Sequence, residues 1–107
     1  MNIISPRQLD DRLKSGEPPL LLDVREPEEV AFACLAGAHA IPLGELSERM
    51  EELSSFRDRQ WVVYCHHGVR SAMAIGILAS NGFTQLANLS GGIDRWSLEV
   101  DPGVPRY

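Results

Sequence analysis

The sequence predicts a small α/β domain with a central, mainly parallel sheet flanked by helices. Apolar runs of strand length alternate along the chain with helical patterns, as they do in parallel α/β folds. The run Leu20–Val24 is almost continuously apolar, which is typical of a strand covered on both faces. At 107 residues, the chain can bury one core but not two. We therefore expect a single domain over residues 1–107.

The first helix is predicted by a complete start signal. Ser5 is the expected N-cap, Pro6 suits the first helical position, and Gln8 lies where a capping-box partner belongs. Gly16 predicts the end of this helix. A first helix that precedes the strand Leu20–Val24 fits the α/β alternation.

The later segments continue this alternation. Their patterns predict a short helix from Arg25 through about Phe32, a brief strand at 40–41, a helix over 45–53, a strand at Trp61–Tyr64, a helix over 71–80, a strand at 86–89, a terminal helix over 93–98 and an extended tail over 101–107. Trp61 and Trp96 are expected in the core or covering its edge. We see no internal repeat and no low-complexity segment.

Composition excludes several classes of protein. The net charge is −5 and Lys14 is the only lysine, which argues against a nucleic-acid partner. No apolar run approaches the ~20 residues of a membrane helix, and the N-terminus lacks the features of a signal peptide. Two cysteines without a secretion signal fit a reducing compartment. We therefore expect a cytoplasmic protein with no membrane partner.

The stretch Trp61–Ser71, WVVYCHHGVRS, carries the strongest chemical signal. Cys65 follows the strand Trp61–Tyr64, and a turn containing Gly68 then leads into the next helix. Free N–H groups and the positive dipole at a helix N-terminus favour an anion. A thiolate is such an anion, so this setting should lower the pKa of the thiol and expose it for attack. Cys65 is therefore the candidate nucleophile.

Asp23 and Cys65 both follow strands of the predicted sheet. Sites in such sheets lie at the carboxyl ends of the strands, which places the two residues at the same edge. Asp23 and Arg25 could line a pocket there, but we favour a bracing role for them. Asp23 would brace the loop by accepting backbone N–H bonds at the end of its strand.

Four segments together resemble the rhodanese homology domain in its single-domain form. They are LLDVREPEE at Leu21–Glu29, GAHAIPL at Gly37–Leu43, CHHGVRS at Cys65–Ser71 and SGGIDRW at Ser90–Trp96. Their order and spacing follow the family over nearly the whole chain. The resemblance implies a rhodanese-like three-layer fold, in which helices cover both faces of the sheet.

The resemblance also implies a sulfurtransferase activity that needs no metal or organic cofactor. Cys65 would take a sulfane sulfur from thiosulfate or a persulfide donor, become a persulfide, and pass the outer sulfur to a thiophilic acceptor. The substrate-binding residues would be His66, His67, Gly68, Val69, Arg70 and Ser71. Gly68 would allow backbone N–H groups to converge on the sulfur. Arg70 would offer a forked donor to thiosulfate oxygens.

Loop length separates this activity from phosphate chemistry. Four residues stand between Cys65 and Arg70, whereas cysteine phosphatases resembling this fold use the longer Cys-x5-Arg loop. The smaller ring should suit a persulfide better than a phosphoryl group. The chain departs from the family at Ala33-Cys34-Leu35, where relatives often have Gly-His-Ile, so no role of that histidine carries over.

Alternatives remain open for individual residues. Cys65 could be a buried structural thiol, and His66 and His67 could be acid–base groups, although we favour a polar rim because neighbouring side chains usually point apart. A zinc site with Cys34 or His39 matches no common ligand spacing. Cys34 is expected to be a small buried residue, and a disulfide with Cys65 would act as a redox switch.

Alternatives also remain for the function. The domain could be a persulfide carrier that delivers sulfur to a protein partner, because it resembles the C-terminal rhodanese modules of proteins that sulfurate cofactor and tRNA precursors. The tail Val100–Tyr107 would then contact the acceptor. The domain could also be a non-catalytic interaction module, although such rhodanese domains typically lose the cysteine that is present here as Cys65.

Overall fold

A computed structural model describes residues 1–107, which form one five-stranded sheet in the order β1-β5-β4-β2-β3. Every pair of neighbouring strands is parallel. The strands are β1 (Asn2–Ile4), β2 (Leu20–Asp23), β3 (His39–Ala40), β4 (Gln60–Tyr64) and β5 (Gln85–Leu89). The central strands β2 and β4 therefore end side by side, with Asp23 in register with Tyr64.

Helices cover both faces of this sheet. They are α1 (Pro6–Leu13), α2 (Pro27–Phe32), α3 (Val69–Ser80) and α4 (Gly92–Glu99), with 3₁₀ helices at Leu43–Glu45 and Met50–Phe56. No helix has the length and apolar character needed to cross a membrane.

The core has two parts, one on each face of the sheet. Side chains alternate along β4, so that Trp61 and Val63 join α3 and the 3₁₀ helix Met50–Phe56 in one cluster. Val62 and Tyr64 join α1 and α4 in the other. A strand buried on both faces needs apolar residues at every position, which explains the uninterrupted apolar run. The predicted three-layer α/β fold is confirmed.

The signals at the start of α1 give the structure that they predict, whereas the helix ends before the predicted stop at Gly16. The Ser5 hydroxyl accepts the Gln8 N–H at 3.1 Å, and the Gln8 side chain accepts the Ser5 N–H at 2.9 Å. The helix begins at Pro6 and ends at Leu13. Both tryptophans, Trp61 and Trp96, are buried as expected.

The segment 45–53 differs from its prediction. Instead of an α-helix, it contains turns followed by the 3₁₀ helix Met50–Phe56. Met50 and Leu53 are buried, and Phe56 packs against the same cluster. Met50, Leu53 and Phe56 are spaced by three residues, which matches the three residues per turn of a 3₁₀ helix. This geometry therefore places the three side chains on one face of the helix.

The two ends of the chain also differ from their predictions. β1 was not predicted, because three mostly exposed residues carry no burial pattern, yet it pairs with β5. The tail after α4 is not extended, since Val104 donates its N–H to the Asp101 carbonyl at 3.0 Å and the chain turns there. This turn directs Tyr107 back toward the end of β4.

Candidate active site

The candidate site is the loop between β4 and α3, which we call the site loop and define as residues 65–71. β4 ends at Tyr64, Cys65 follows, and α3 begins at Val69. Gly68 is the residue before the helix and has φ +120°, a conformation that side chains other than glycine rarely adopt. This glycine therefore permits the tight turn that brings the start of α3 close to Cys65.

The Cys65 sulfur lies inside this turn. Gly68 donates its N–H to Sγ at 3.0 Å, and the Ser71 hydroxyl lies 3.4 Å from Sγ. Burial raises the pKa of the Cys65 thiol, but hydrogen bonds from the backbone N–H groups of Ser71, Gly68 and His67 hold the pKa below its ordinary value. Cys65 is only 1% exposed, so the expectation of an exposed thiol was wrong.

Asn88 on β5 braces the site loop from below. The Ser71 hydroxyl donates to Asn88 Oδ1 at 2.6 Å, and Asn88 Nδ2 donates to the Gly68 carbonyl at 3.0 Å. Ser71 is fully buried beside the sulfur, and its expected role in substrate binding stays a prediction. The sequence analysis did not identify Asn88 as a site residue. The only signal for it was a polar residue within the short strand β5, and the structure shows that its side chain is buried.

The N-terminus of α4 holds the other side of the loop. Ile93 donates its N–H to the Cys65 carbonyl at 2.9 Å, and Asp94 donates to the His66 carbonyl at 3.2 Å. Gly92 has φ +62°, and a Cβ there would lie 2.3 Å from the His66 carbonyl oxygen. Only glycine permits this approach, which explains the second glycine of the Ser90–Trp96 segment.

Arg70 is paired with a carboxylate from α2. Its Nη1 and Nη2 donate to Glu29 Oε1 and Oε2 at 2.5 and 2.9 Å, and the Tyr107 hydroxyl donates to Glu29 Oε2 at 2.6 Å. The hydrogen bonds from Arg70, and then that from Tyr107, outweigh partial burial and lower the pKa of Glu29 to about 2. Arg70 was expected to offer its fork to a donor, but the fork is occupied by Glu29.

Asp23 and Arg25 form a buried ion pair with Nη2–Oδ2 at 2.7 Å. Burial favours the neutral guanidine, but hydrogen bonds to Asp23 and Tyr107 keep the pKa of Arg25 above its ordinary value. Asp23 does accept a backbone N–H, from Arg25 at 3.0 Å, and Arg25 donates to the Ala33 carbonyl at 2.6 Å. Asp23 therefore accepts a backbone N–H at the end of its strand, and the segment that the pair braces is the one after β2.

The two histidines lie against each other at the entrance. The ring centroids of His66 and His67 are 4.0 Å apart, so the expectation that they point apart was wrong. Tyr107 stacks on the other face of His66, with centroids 4.0 Å apart and planes 8° from parallel. His67 is 63% exposed at its side chain, which places it on the rim.

The start of α3 carries two exposed apolar side chains. Val69 and Met73 are 74% and 59% exposed and lie one turn apart on α3. Cys34 is exposed, so the expectation of a buried residue was wrong, and both cysteines are free thiols. No group of three or more His, Cys, Asp or Glu side chains is arranged to hold a metal ion.

Comparison with known proteins agrees with this geometry. Residues 5–99 match the family described as rhodanese-like domain. A sulfurtransferase of Allochromatium vinosum is 36% identical over 97 residues, covering 91% of this chain and 89% of the relative. The human single-domain sulfurtransferase TSTD1 superposes with a TM-score of 0.80 at 28% identity, over 92% of this chain and 97% of the other.

Longer proteins contain a similar domain. A probable adenylyltransferase/sulfurtransferase MoeZ of Mycobacterium tuberculosis is 36% identical over 104 residues, which cover 97% of this chain. This chain spans about a quarter of that relative's length, 26%. Sulfur transfer is the activity shared by the names of these relatives. With the matched fold, the cysteine at the end of β4 and the loop that follows it, the chain belongs to the rhodanese-like domain family.

Proposed function

We propose that this domain is a sulfurtransferase in which Cys65 carries the sulfur as a persulfide. The observation that carries the proposal is the set of hydrogen bonds that the loop makes to the Cys65 sulfur, among them that from the Gly68 N–H at 3.0 Å, which together lower the pKa of Cys65. The thiolate attacks the outer sulfur of thiosulfate or a persulfide, and sulfite or a thiolate leaves. A thiophilic acceptor, such as cyanide in an assay, then removes the outer sulfur.

The loop supports both steps with the same groups. The resting thiolate and the terminal sulfur of a persulfide are both anions, and converging N–H groups stabilise an anion without a bound cation. Two free thiols are typical of a reducing compartment, and we propose the cytoplasm as the location.

A second candidate is a persulfide carrier that hands its sulfur to a protein partner. It is favoured by the MoeZ relative and by adenylyltransferase and sulfurtransferase MOCS3-1 of Zea mays, 35% identical over 109 residues, in which this domain forms part of a longer chain. The exposed apolar side chains of Val69, in the site loop, and Met73, one turn further along α3, would suit a protein acceptor.

Intact mass tests the proposal directly. The protein is incubated with thiosulfate or a persulfide, freed of excess donor, weighed, and then chased with cyanide. We expect one added sulfur that is released as thiocyanate, its loss in Cys65→Ser, and its retention in Cys34→Ser, which removes the other free thiol. A sulfur that remains in Cys65→Ser and disappears in Cys34→Ser would overturn the site assignment.

The acceptor decides between the two candidates. Transfer to cyanide and small thiols supports the enzyme. A protein that loads but transfers only to a partner protein supports the carrier. A protein that loads from no donor would be an interaction module, because its cysteine would then have no transfer chemistry.

A further inference from the structure

The arginine side chains around the site loop each form an ion pair with a carboxylate. Arg25 pairs with Asp23, Arg70 with Glu29 and Arg106 with Asp94, and each pair has an N–O distance of 2.8 Å or less. The chain as a whole has a net charge of −5. These three arginines are each neutralised by a carboxylate, so their side chains supply no net positive charge to attract a small dianion.

The Glu29–Arg70 pair involves the site loop itself, because Arg70 is a residue of that loop and lies in the first turn of α3. The hydrogen bonds to Glu29, and to a smaller extent the charge of the Cys65 thiolate, raise the pKa of Arg70. Glu29 occupies both arms of the Arg70 fork, at 2.5 and 2.9 Å. Tyr107 and the backbone N–H of Glu26 hold the carboxylate in place with hydrogen bonds at 2.6 and 3.1 Å. A thiosulfate dianion would have to displace this held carboxylate before it could bind the fork.

We propose that Glu29 determines donor specificity, by occupying Arg70 and so disfavouring thiosulfate relative to an organic persulfide. This inference rests on the proposed sulfurtransferase function. Glu29 acts through Arg70 and is therefore a positioning residue. The donor class that the site selects is an alkyl persulfide, whether carried by a small thiol or by a cysteine of a protein.

The reaction with a persulfide needs no free guanidinium. The Cys65 thiolate attacks the outer sulfur of R–S–SH, the new Cys65 S–S bond forms, and the donor S–S bond breaks with its electron pair leaving on R–S⁻. The proton remains on the transferred sulfur and is then lost to water. No oxidant is required, and the donor brings no sulfonate oxygens that Arg70 must bind. Its carbon chain can instead contact the exposed apolar side chains of Val69, in the site loop, and Met73, one turn further along α3.

The test compares two substitutions on α2. Glu29→Gln removes the charge but keeps a side-chain oxygen for the Glu26 N–H, so the helix start is preserved. Glu28→Gln removes the same charge from an exposed residue of the same helix and is the matched control. Rates of sulfur loading on Cys65 are followed by intact mass with thiosulfate, cysteine persulfide and a persulfidated cysteine peptide.

We expect wild type to load faster from either persulfide than from thiosulfate. Glu29→Gln should raise the thiosulfate rate about 10-fold, with a steeper salt dependence, because charged clefts raise the local concentration of an anionic substrate by 10–10³. The persulfide rates should change less than about 2-fold by the same reasoning, since that donor does not use the freed fork. Glu28→Gln should match wild type with every donor.

The outcomes separate this inference from the proposed function. Two results would overturn the role of Glu29 while leaving Cys65 as the carrier. One is a wild type that loads faster from thiosulfate than from the persulfides. The other is a Glu29→Gln variant whose thiosulfate rate differs from wild type no more than that of Glu28→Gln. Absence of loading from all three donors in wild type would overturn the sulfurtransferase function itself. Tyr107→Phe gives an independent check, because it loosens Glu29 without removing its charge and should raise the thiosulfate rate by a smaller factor.

Discussion

Replacing Gly92 by alanine should disrupt the site loop from the side of α4. The added Cβ would lie 2.3 Å from the His66 carbonyl oxygen and 2.5 Å from that of Cys65, and both are backbone atoms that cannot rotate away. The left-handed φ of +62° adds roughly 1–2 kcal/mol for a residue with a side chain. Moving α4 away would also break its two N–H bonds to the loop, at about 0.5–1.5 kcal/mol each. The sum is about 2–5 kcal/mol, a large part of the ~5–15 kcal/mol of a typical domain.

Gly37→Ala is the matched control for this loss. Gly37 has a similar φ of +78°, but nothing lies within 4 Å of the position of its Cβ, so only the backbone cost of about 1–2 kcal/mol applies. Urea unfolding followed by tryptophan fluorescence gives both free energies of unfolding, and alkylation rate against pH gives the pKa of Cys65. We expect a larger loss of stability and a raised Cys65 pKa only in Gly92→Ala. Equal stability of the two variants would refute the argument from the close contact.

Two further predictions concern side chains that hold the site. Asn88→Asp should raise the pKa of Cys65, measured by alkylation rate against pH, because a buried carboxylate would place a negative charge near the thiolate and could not donate to the Gly68 carbonyl. Asn2→Asp, the same change on the exposed strand β1, should leave the Cys65 pKa unchanged. An unchanged Cys65 pKa in Asn88→Asp would contradict the bracing role of Asn88. The Glu29–Arg70 pair should stabilise the fold fully above the unfolded pKa of about 4.3, and its contribution should fall as the pH drops toward the folded pKa of about 2. The urea midpoint, measured from neutral to acid pH, should therefore decline less in Glu29→Gln than in wild type. An equal decline in the two proteins would show that the pair does not stabilise the fold in this way.

Local signals were sufficient for much of this fold. The Ser5 capping box and the buried run of β2 each depend on residues within one element, and both form as predicted. The position of Cys65 between a strand and a helix follows from the same kind of signal. An α-helix was predicted where the 3₁₀ helix Met50–Phe56 forms, because apolar residues three apart are compatible with both kinds of helix. Only packing against the rest of the core decides which of the two forms.

The partners of the site residues could not be read from the sequence. Glu29 lies 41 residues before Arg70, Asn88 lies 17 after Ser71, and Tyr107 lies 78 after Glu29. Each pair meets only because the parallel sheet brings the carboxyl ends of distant strands to one edge. Arg70 was therefore expected to bind substrate, although the structure shows its fork taken by a side chain from another helix.

The order of the strands has a consequence for the protein during its synthesis. β1 is made before the other strands but pairs with β5, where Ile4 lies opposite Leu89. The five-stranded sheet therefore cannot be completed on a ribosome until most of the domain has emerged. The groups that hold the site loop, Asn88 and the N-terminus of α4, are made in that same last part. We therefore expect the pKa of Cys65 to stay at its ordinary value in a nascent chain, and to fall only when the last part of the domain has folded against the site loop.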